Sequence, residues 1–335
     1  MSNHTNKPLR AVITGANGFV GSHLAEALIN KGFEVHCILR KSSNTQWLDG
    51  KNVTINNCGL SSVKALKAAF LGADYVFHIA GVVKADSYEG FYDGNVVPTQ
   101  KVLEAALGAP NLKRILITSS LAATGSNAVG QPSTEAMPCA PVSDYGRSKK
   151  AQEELCHTYA KSLSISIVRP PAVYGERDTE VLLFFKSIQK GVFPSVGLGA
   201  PQTLSLVHVR DLVEGMIAVA THPAGVGKTY FLGSNPAEYT WEQVAAQIGL
   251  TLNKKFMRIK IPIFAIHGLA IAAEAASFFS KTKPSLNRKK VAEIIQPSWA
   301  CSSQKAMQEV GYQPTISLQK GVTDTINWYK AQGWL

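Results

Sequence analysis

The chain of 335 residues is long enough to bury one large core or two smaller ones, and its 45% hydrophobic and 17% charged residues exclude an intrinsically disordered protein. The formal net charge is +11, but nine cations and a single acid lie between Lys254 and Lys290, so this stretch alone carries +8. The positive charge is therefore a local feature, and we expect no nucleic-acid partner.

The cysteines and the first residues indicate a cytoplasmic protein. The five cysteines are odd in number and scattered without paired spacing, which predicts reduced thiols rather than a disulfide framework. Met1 to Lys7 is polar and contains no signal-peptide core.

The eight histidines show no HExxH or other paired-ligand spacing, so we expect no metal site.

Short apolar runs alternate with segments of helical periodicity through the first half of the chain. The predicted strands are Leu9 to Thr14, Glu34 to Leu39, Asp74 to Ile79, Arg114 to Thr118 and Ile165 to Val168. The predicted helices between them are Val20 to Asn30, Val63 to Phe70, Val96 to Ala106 and Asp144 to Ser162. This alternation is typical of βαβ units and predicts an α/β fold with a Rossmann-type, doubly wound parallel sheet.

After Pro170-Pro171 the pattern loosens, and only Thr203 to Val209 and Tyr230 to Leu232 are predicted to return to the sheet as strands. The predicted division is a dinucleotide-binding domain over 1–175, rejoined by 203–233, and a smaller, mostly helical substrate-binding lobe over 176–202 and 234–335. Such a lobe would cover the carboxyl ends of the strands, where ligands bind in open α/β sheets.

A glycine-rich turn follows the first predicted strand. Gly15, Gly18 and Gly21 stand directly after that strand and open a helix. Backbone amides at such a helix N-terminus hold phosphates, and larger side chains would block their approach. The turn therefore predicts a dinucleotide site, and an ordinary glycine turn is the less favoured interpretation.

Tyr145 and Lys149 are four residues apart on a predicted helix, so their side chains share one face. An unperturbed tyrosine hydroxyl has a pKa of about 10. We expect the Lys149 ammonium to lower the pKa of Tyr145 and to make it usable as a general acid or base. Most Tyr–Lys pairs at this spacing are not catalytic, so the surrounding motifs decide between the two interpretations.

The order of the motifs resembles the extended short-chain dehydrogenases/reductases, in the NAD-dependent epimerase/dehydratase family. The matching segments are the GxxGxxG turn at 15–21, His78-Ile79-Ala80-Gly81, the serine pair before Gly125, the YxxSK run at 145–149, Arg169 to Gly175 and Val207 to Asp211. Together they cover almost the whole chain and are specific for fold and cofactor class. They are much less specific for the substrate.

The resemblance implies a catalytic set of Ser120, Tyr145 and Lys149. Ser120 would hold the substrate oxygen, Tyr145 would exchange its proton, and Lys149 would also bond the nicotinamide ribose. The implied cofactor-binding positions are Gly15, Asn17, Gly18, Phe19, Val20, Gly21, Arg40, Lys41, His78, Ala80, Gly81, Asn95, Thr118, Tyr145, Lys149, Pro170 and Val173. The implied reaction is hydride transfer between NADPH and a carbonyl carbon, with Tyr145 protonating the oxygen.

The second predicted strand ends before Arg40 and Lys41. An Asp or Glu in this region would bond a ribose 2′-hydroxyl, whereas arginine fits a 2′-phosphate. We therefore predict NADP(H) in preference to NAD(H), and a solvated loop cation is the alternative interpretation of Arg40. Gly59 stands where the family usually has an adenine-binding Asp, so adenine recognition must be looser here or must use another residue.

The C-terminal part resembles the 3β-hydroxysteroid dehydrogenase and dihydroflavonol 4-reductase branch through Lys305-Ala306, Gly311 to Pro314 and Trp328-Tyr329. This implies a bulky, apolar ketone or secondary alcohol of steroid, flavonoid or lipid type. Candidate pocket walls, which are equally candidates for the core, are Tyr88, Phe91, Tyr92, Phe184, Phe185 and Phe193. A homodimer is a further expectation from the resemblance.

Two other functions stay open. A nucleotide-sugar 4-epimerase would use the same catalytic set with tightly bound NAD, and Arg177, Lys186 and Arg210 are its candidate diphosphate ligands. A non-catalytic, cofactor-sensing protein of this fold would typically lack the Tyr–Lys pair. Leu121 and Ala122 stand where sugar-nucleotide dehydratases have Asp-Glu, so we do not expect a dehydratase.

Ile261 to Phe279 is almost entirely apolar and is broken only by His267, Glu274 and Ser277. A membrane-spanning helix needs about 20 apolar residues and a carboxylate within it is costly, so we do not predict a span. The simpler interpretation is a buried helix of the lobe. The alternative is a helix that lines the substrate pocket and contacts an anionic membrane at its periphery through 254–290.

Overall fold

The structure is a computed structural model that describes residues 7–197, 201–277 and 288–335, without the side chains of 274–277 and 288–289. The strands are β1 (Arg10–Thr14), β2 (Glu34–Ile38), β3 (Val53–Asn56), β4 (Tyr75–His78), β5 (Arg114–Thr118), β6 (Ile165–Arg169), β7 (Ala172–Tyr174), β8 (Val192–Val196), β9 (Thr203–Leu204), β10 (Leu206–His208), β11 (Thr229–Phe231), β12 (Tyr239–Thr240), β13 (Met257–Ile261) and β14 (Ser298–Trp299). The helices are α1 (Phe19–Asn30), α2 (Val63–Ala69), α3 (Tyr88–Ala106), α4 (Asp144–Tyr159), α5 (Leu182–Gln189), α6 (Val209–Thr221), α7 (Trp241–Leu252), α8 (Ile263–Ser277), α9 (Arg288–Ile294), α10 (Gln304–Val310) and α11 (Leu318–Ala331).

Seven parallel strands form the central sheet in the order β11-β6-β5-β4-β1-β2-β3. The inner strands are apolar on both faces because helices cover both of them. Leu24 of α1 and Val213 of α6 pack on one face, and Leu66 of α2 and Val102 of α3 pack on the other. The predicted doubly wound Rossmann-type fold is therefore confirmed.

Two helix boundaries differ from the prediction by three or more residues, and one strand of the central sheet was not predicted. α3 begins at Tyr88, well before the predicted Val96, because the Ser87 hydroxyl caps it by accepting a hydrogen bond from Gly90 N at 3.3 Å. α4 ends at Tyr159, before the predicted end at Ser162. The short edge strand β3 was missing from the predicted strands, and two of its four residues are exposed.

The prediction that Thr203 to Val209 returns to the central sheet is wrong. The run divides at Ser205, whose hydroxyl accepts a hydrogen bond from Cys301 N at 2.9 Å and donates one to Ala237 O. β9 then pairs with β12 and β14, while β10 pairs with β7 in a separate two-stranded sheet. Tyr230 to Leu232 behaves as predicted, since β11 pairs with β6. The domain boundaries stay a prediction.

The C-terminal region is mainly helical and has its own core. Phe185 of α5 and Tyr329 of α11 are fully buried there, with ring centroids 5.5 Å apart. Phe193 belongs to the same core, and Phe184 packs at its edge. These three phenylalanines are therefore core residues rather than pocket walls.

Candidate active site

The glycine turn after β1 is close-packed at two of its three glycines. Gly15 has a φ of +73°, and a Cβ placed on it would lie 2.8 Å from the backbone nitrogen of Ala80. A Cβ on Gly21 would collide with the carbonyl oxygen of Gly15. Gly18 is different, because it is exposed and precedes α1 as the N-cap. A Cβ there would lie 3.4 Å from the nearest atom, the carbonyl oxygen of Gly15, which is an ordinary contact distance. Packing demands Gly15 and Gly21, whereas Gly18 leaves an open approach to the helix N-terminus.

Below this turn His78 is the centre of a buried hydrogen-bond chain. Its Nδ1 lies 2.7 Å from the Thr14 hydroxyl and its Nε2 lies 2.9 Å from the Thr99 hydroxyl. Thr99 donates to the Asn95 carbonyl oxygen at 2.6 Å and also accepts from Gln152 at 2.7 Å. Because the Thr99 proton is committed to Asn95, the proton of His78 lies on Nε2. Burial lowers the pKa of His78 to about 3, so the ring is neutral.

Asn95 connects the loop after β4 to α4. Its side chain accepts a hydrogen bond from Val82 N at 2.8 Å and donates to Val82 O at 3.1 Å and to Ser148 Oγ at 3.0 Å. A Cβ on Gly81 would lie 2.8 Å from Asn95 Oδ1. Ser148 and Thr99 had no predicted role, although Ser148 lies inside the YxxSK run and Thr99 lies one helical turn after Asn95.

The structure brings Ser120, Tyr145 and Lys149 together at the carboxyl end of β5. Ser120 follows β5 and begins the 3₁₀ turn Leu121–Ala123, where its hydroxyl accepts a hydrogen bond from Ala122 N at 3.1 Å. The same hydroxyl is hydrogen-bonded to Tyr145. Lys149 donates to the Thr118 carbonyl oxygen at 2.7 Å.

Close packing fixes the position of Tyr145 relative to Ser120. A Cβ on Gly146 would collide with the carbonyl oxygen of Ala122, so the glycine lets α4 approach the 3₁₀ turn. Ser143 caps α4 by accepting a hydrogen bond from Gly146 N at 3.1 Å. Tyr145 therefore sits in the first turn of a helix whose start is held on two sides.

The expectation that Lys149 lowers the pKa of Tyr145 is wrong for this structure. Burial raises the pKa of Tyr145 to about 12, although the hydrogen bond with Ser120 opposes this, and the Glu293 carboxylate adds to the rise. Burial lowers the pKa of Lys149 to about 8 against the attraction of Glu153. Desolvation is thus the largest cause of both pKa shifts, and Tyr145 is a neutral phenol that can donate a proton to an oxygen beside Ser120.

The loops after β2 and β3 meet where the cofactor ribose is predicted. Arg40 and Lys41 are both exposed, and Arg40 N donates to Ser43 Oγ at 3.1 Å. Gly59 has a φ of +61°, and a Cβ there would lie 3.7 Å from Cγ of Arg40. The remaining predicted cofactor positions all lie near the carboxyl ends of the central strands: Asn17, Phe19, Val20, Ala80, Pro170 and Val173.

One aromatic side chain and one helix of the C-terminal region lie beside Tyr145. The ring centroid of Phe91 is 5.8 Å from that of Tyr145. Tyr88 and Tyr92 pair with each other at 6.0 Å. α9 lies across from the start of α4, where Ala292 borders a cleft together with Ser143, Asp144 and Arg147. Nothing in the sequence pattern indicated that α9 faces the catalytic helix.

Comparison with known proteins identifies the family. The model of the NAD dependent epimerase/dehydratase family matches residues 11–233. The chain belongs to this family. It is 30% identical over 324 residues to ceramide reductase of Caulobacter vibrioides, covering 96% of this chain and 95% of that protein. It is 23% identical over 340 residues to the decarboxylating sterol-4-alpha-carboxylate 3-dehydrogenase of Mus musculus, covering 97% and 92%.

Solved structures of the family share the whole fold. The UDP-glucose 4-epimerase of Thermotoga maritima superposes with a TM-score of 0.78 at 19% identity, covering 97% of this chain and 99% of that one. At this identity the likeness shows the fold alone. Family membership and fold together make this chain an NAD(P)-dependent enzyme of the extended short-chain dehydrogenase/reductase type.

The residues present fit a nicotinamide dinucleotide, as the family requires. The exposed Gly18 leaves the N-terminus of α1 open to a pyrophosphate. The hydroxyl groups of Thr118 and Ser119 are buried beside Lys149 with no hydrogen-bond partner, although buried polar groups are normally paired. These orphaned groups and the open turn lie along the same edge of the sheet.

Two of the three candidate diphosphate ligands are engaged elsewhere. Arg177 donates to Ser22 Oγ at 2.9 Å and pairs with Glu26 at 2.6 Å. Arg210 pairs with the buried carboxylate of Glu176 and with Asp324. Lys186 is half-buried on α5.

Over the described ranges, no helix is both long and apolar enough to span a bilayer. Within those same ranges, no group of three or more His, Cys, Asp or Glu side chains is arranged to hold a metal ion.

Proposed function

We propose that the protein is an NADP(H)-dependent oxidoreductase that interconverts a ketone and a secondary alcohol on a bulky, apolar substrate. The observation that carries the proposal is the convergence of Ser120, Tyr145 and Lys149 beside the glycine turn. The names of the two relatives, a ceramide reductase and a sterol dehydrogenase, support a lipophilic substrate. The apolar ring of Phe91 next to Tyr145 agrees with this class.

In the proposed mechanism the chain's own residues manage the oxygen and its proton. Ser120 and Tyr145 hold the substrate carbonyl oxygen between their hydroxyls, and Tyr145 gives it the proton as the C=O bond becomes C–OH. The bound nicotinamide supplies the hydride to the carbon, or accepts it in the reverse reaction. Lys149, anchored on Thr118 O, positions the cofactor ribose and supplies positive charge when Tyr145 is deprotonated.

Arg40 and Lys41 support NADP(H) over NAD(H). Both side chains are exposed just after β2. No carboxylate stands at the carboxyl ends of β2 or β3, because Gly59 occupies the position after β3 where the family usually has an Asp. A 2′-phosphate would find two cations here, whereas a 2′-hydroxyl would find no carboxylate to accept its hydrogen bond. We expect the double variant Arg40→Ala/Lys41→Ala to weaken NADPH binding much more than NADH binding, as measured by fluorescence titration. Equal weakening of both cofactors would contradict the preference.

The function is tested by supplying NADPH with three apolar ketones, namely a 3-ketosteroid, a flavonoid ketone and a long-chain acyl ketone. We expect cofactor oxidation with at least one of them and a secondary alcohol as product, identified by mass spectrometry. Stoichiometric NAD that survives long dialysis, together with epimerisation of a UDP-sugar, would instead establish the epimerase.

The epimerase is the weaker alternative because a diphosphate substrate needs cations. Arg177 and Arg210 are both committed to ion pairs with Glu26 and Glu176. A cofactor-sensing protein without catalysis is weaker still, since it has no use for the Tyr145–Lys149 pair. Homodimerisation stays a prediction, and analytical ultracentrifugation tests it.

A further inference from the structure

The solvent-facing side of α8, which takes up most of the helix circumference, exposes large apolar side chains. Ile263, Phe264, Leu269 and Ile271, which we call the α8 surface, are 44%, 79%, 56% and 54% exposed. The opposite face is buried, with Ile266 and Ala270 packed against Val291 of α9. The helix is therefore held in place by its inner face, and its outer face has no partner among the described residues. Clusters of this kind typically mark an interaction site.

The chain around the α8 surface is positively charged. Between Leu250 and Ala273 it contains four cations and no acidic residue. Lys254, Lys255 and Lys260 are exposed, and none of them forms an ion pair within the part of the chain that the structure describes. Only Arg258 is paired, with Glu242 at 2.6 Å. Exposed apolar side chains that follow unpaired lysines in the chain complement the surface of an anionic bilayer.

We propose that the α8 surface docks on an anionic phospholipid bilayer and inserts shallowly into its interface. The described part of α8 has 15 residues, fewer than the about 20 that a bilayer span needs. A second copy of the chain fits this surface less well. An isologous contact would bring the same unpaired lysines of two subunits together.

The docking surface is connected to the site through one helix. α8 packs on Val291, the next residue Ala292 borders the cleft at the start of α4, and Glu293 acts electrostatically on Tyr145. A lipid leaving the bilayer would thus approach the start of the catalytic helix α4 along α9. This last step rests on the proposed apolar substrate, whereas the docking itself does not.

Cosedimentation with vesicles tests the docking without any turnover. We expect the protein to bind vesicles of phosphatidylcholine with phosphatidylglycerol, to bind phosphatidylcholine alone weakly, and to be released by salt. The double variant Phe264→Glu/Leu269→Glu should lose binding. The matched control Leu71→Glu/Leu107→Glu, which alters two side chains that are 58% and 52% exposed elsewhere, should keep it. Lys254→Gln/Lys255→Gln should weaken binding about fivefold for each lysine replaced.

Thermal unfolding and NADPH titration of each variant show whether the fold is intact. Binding that persists in Phe264→Glu/Leu269→Glu, or absence of binding by the wild type, would overturn the proposal. So would a dimer that the same double variant dissociates, because a second copy would then cover the surface. Vesicle binding with no ketone reduction would uphold the docking and contradict only the proposed function.

Discussion

The sheet edge around Tyr145 and the α8 surface differ in what determines their residues. At the sheet edge a single Thr99 hydroxyl joins His78, Gln152 and α3, and any side chain on Gly21 or Gly146 would strike backbone. On the α8 surface Phe264 is 79% exposed and touches no core. Contacts inside the molecule thus dictate which residues stand at the sheet edge. The apolar residues of the α8 surface make no such contacts, so a partner outside the molecule must explain them.

The largest expected effect is on the proton transfer at the sheet edge. Tyr145→Phe removes the hydroxyl that would protonate the substrate oxygen, and we expect kcat to fall about 10²–10⁴-fold. NADPH affinity should change much less than kcat, because the glycine turn that would hold the pyrophosphate is untouched. Steady-state kinetics on a confirmed ketone measure this, with Tyr159→Phe at the far end of α4 as control. Full turnover by Tyr145→Phe would remove the tyrosine from the mechanism.

A pair of glycine variants separates packing from ligand approach. Gly21→Ala should destabilise the fold by about 1–3 kcal/mol, because its Cβ collides with Gly15 O. Gly18→Ala should leave the free energy of unfolding almost unchanged, since its Cβ would lie 3.4 Å from that oxygen, an ordinary contact distance. It should weaken NADPH binding instead, because the added methyl group stands where the pyrophosphate would approach. Chemical denaturation and cofactor titration of both variants provide the comparison. Tight NADPH binding by Gly18→Ala would show that the pyrophosphate does not approach there.

Acid should destabilise the folded protein through its buried histidines. Burial lowers the pKa of His78 to about 3 and that of His208 to about 4, whereas an unfolded chain titrates near pH 6.5. Between these values the unfolded state holds more protons, so stability falls as pH falls. From pH 7 to pH 5.5 we expect a loss of about 1 kcal/mol for each histidine.

Denaturation at several pH values measures this slope. His208→Asn should flatten it, and the exposed His157→Gln should leave it unchanged. Asp178 partly offsets this loss, because burial raises its pKa to about 6 and the folded state then binds a proton that the unfolded state does not. Glu176 does not contribute in this window. Although its burial opposes ionisation, its hydrogen bond with His23 and the charges near it lower its pKa to about 2, so its contribution is lost only at more acidic pH. A wild type equally stable at both pH values would contradict the buried, neutral histidines.

The smallest expected effect concerns α9, the helix that lies between the α8 surface and the sheet edge around Tyr145. Glu293 of α9 raises the pKa of Tyr145, so Glu293→Gln should lower that pKa. The basic limb of the kcat/KM profile against pH should then move to lower pH. The exposed Glu154→Gln on α4 is the matched control. An unmoved limb would mean that α9 does not influence the proton donor.

Motif residues were predictable because local geometry dictates them. The glycine turn, the Tyr145–Lys149 face and the alternation of strands and helices follow from spacing and steric limits that the sequence displays directly. The start of α3 was missed because Gly90 and Gly94 interrupt the apolar pattern that marks a helix.

Properties set by tertiary packing could not be predicted in the same way. The direction of the Tyr145 pKa shift depends on how much water the fold removes from the hydroxyl, and the sequence shows only the neighbouring lysine. The approach of α9 to α4 joins segments far apart in the chain. Likewise Thr203 to Val209 has the composition of a sheet strand, but Ser205 bonds to Cys301 N and so directs the run into small separate sheets.

The hydroxyl oxygen of Thr99 serves three elements of the fold at once. It accepts from His78 of β4 and from Gln152 of α4, while its proton goes to the backbone of α3. Valine has almost the same shape, so replacing Thr99 with it would leave no cavity and alter no charge. It would nevertheless strand two buried donors, at about 1–3 kcal/mol each. The strand, the catalytic helix and the glycine turn above His78 therefore depend together on a single atom.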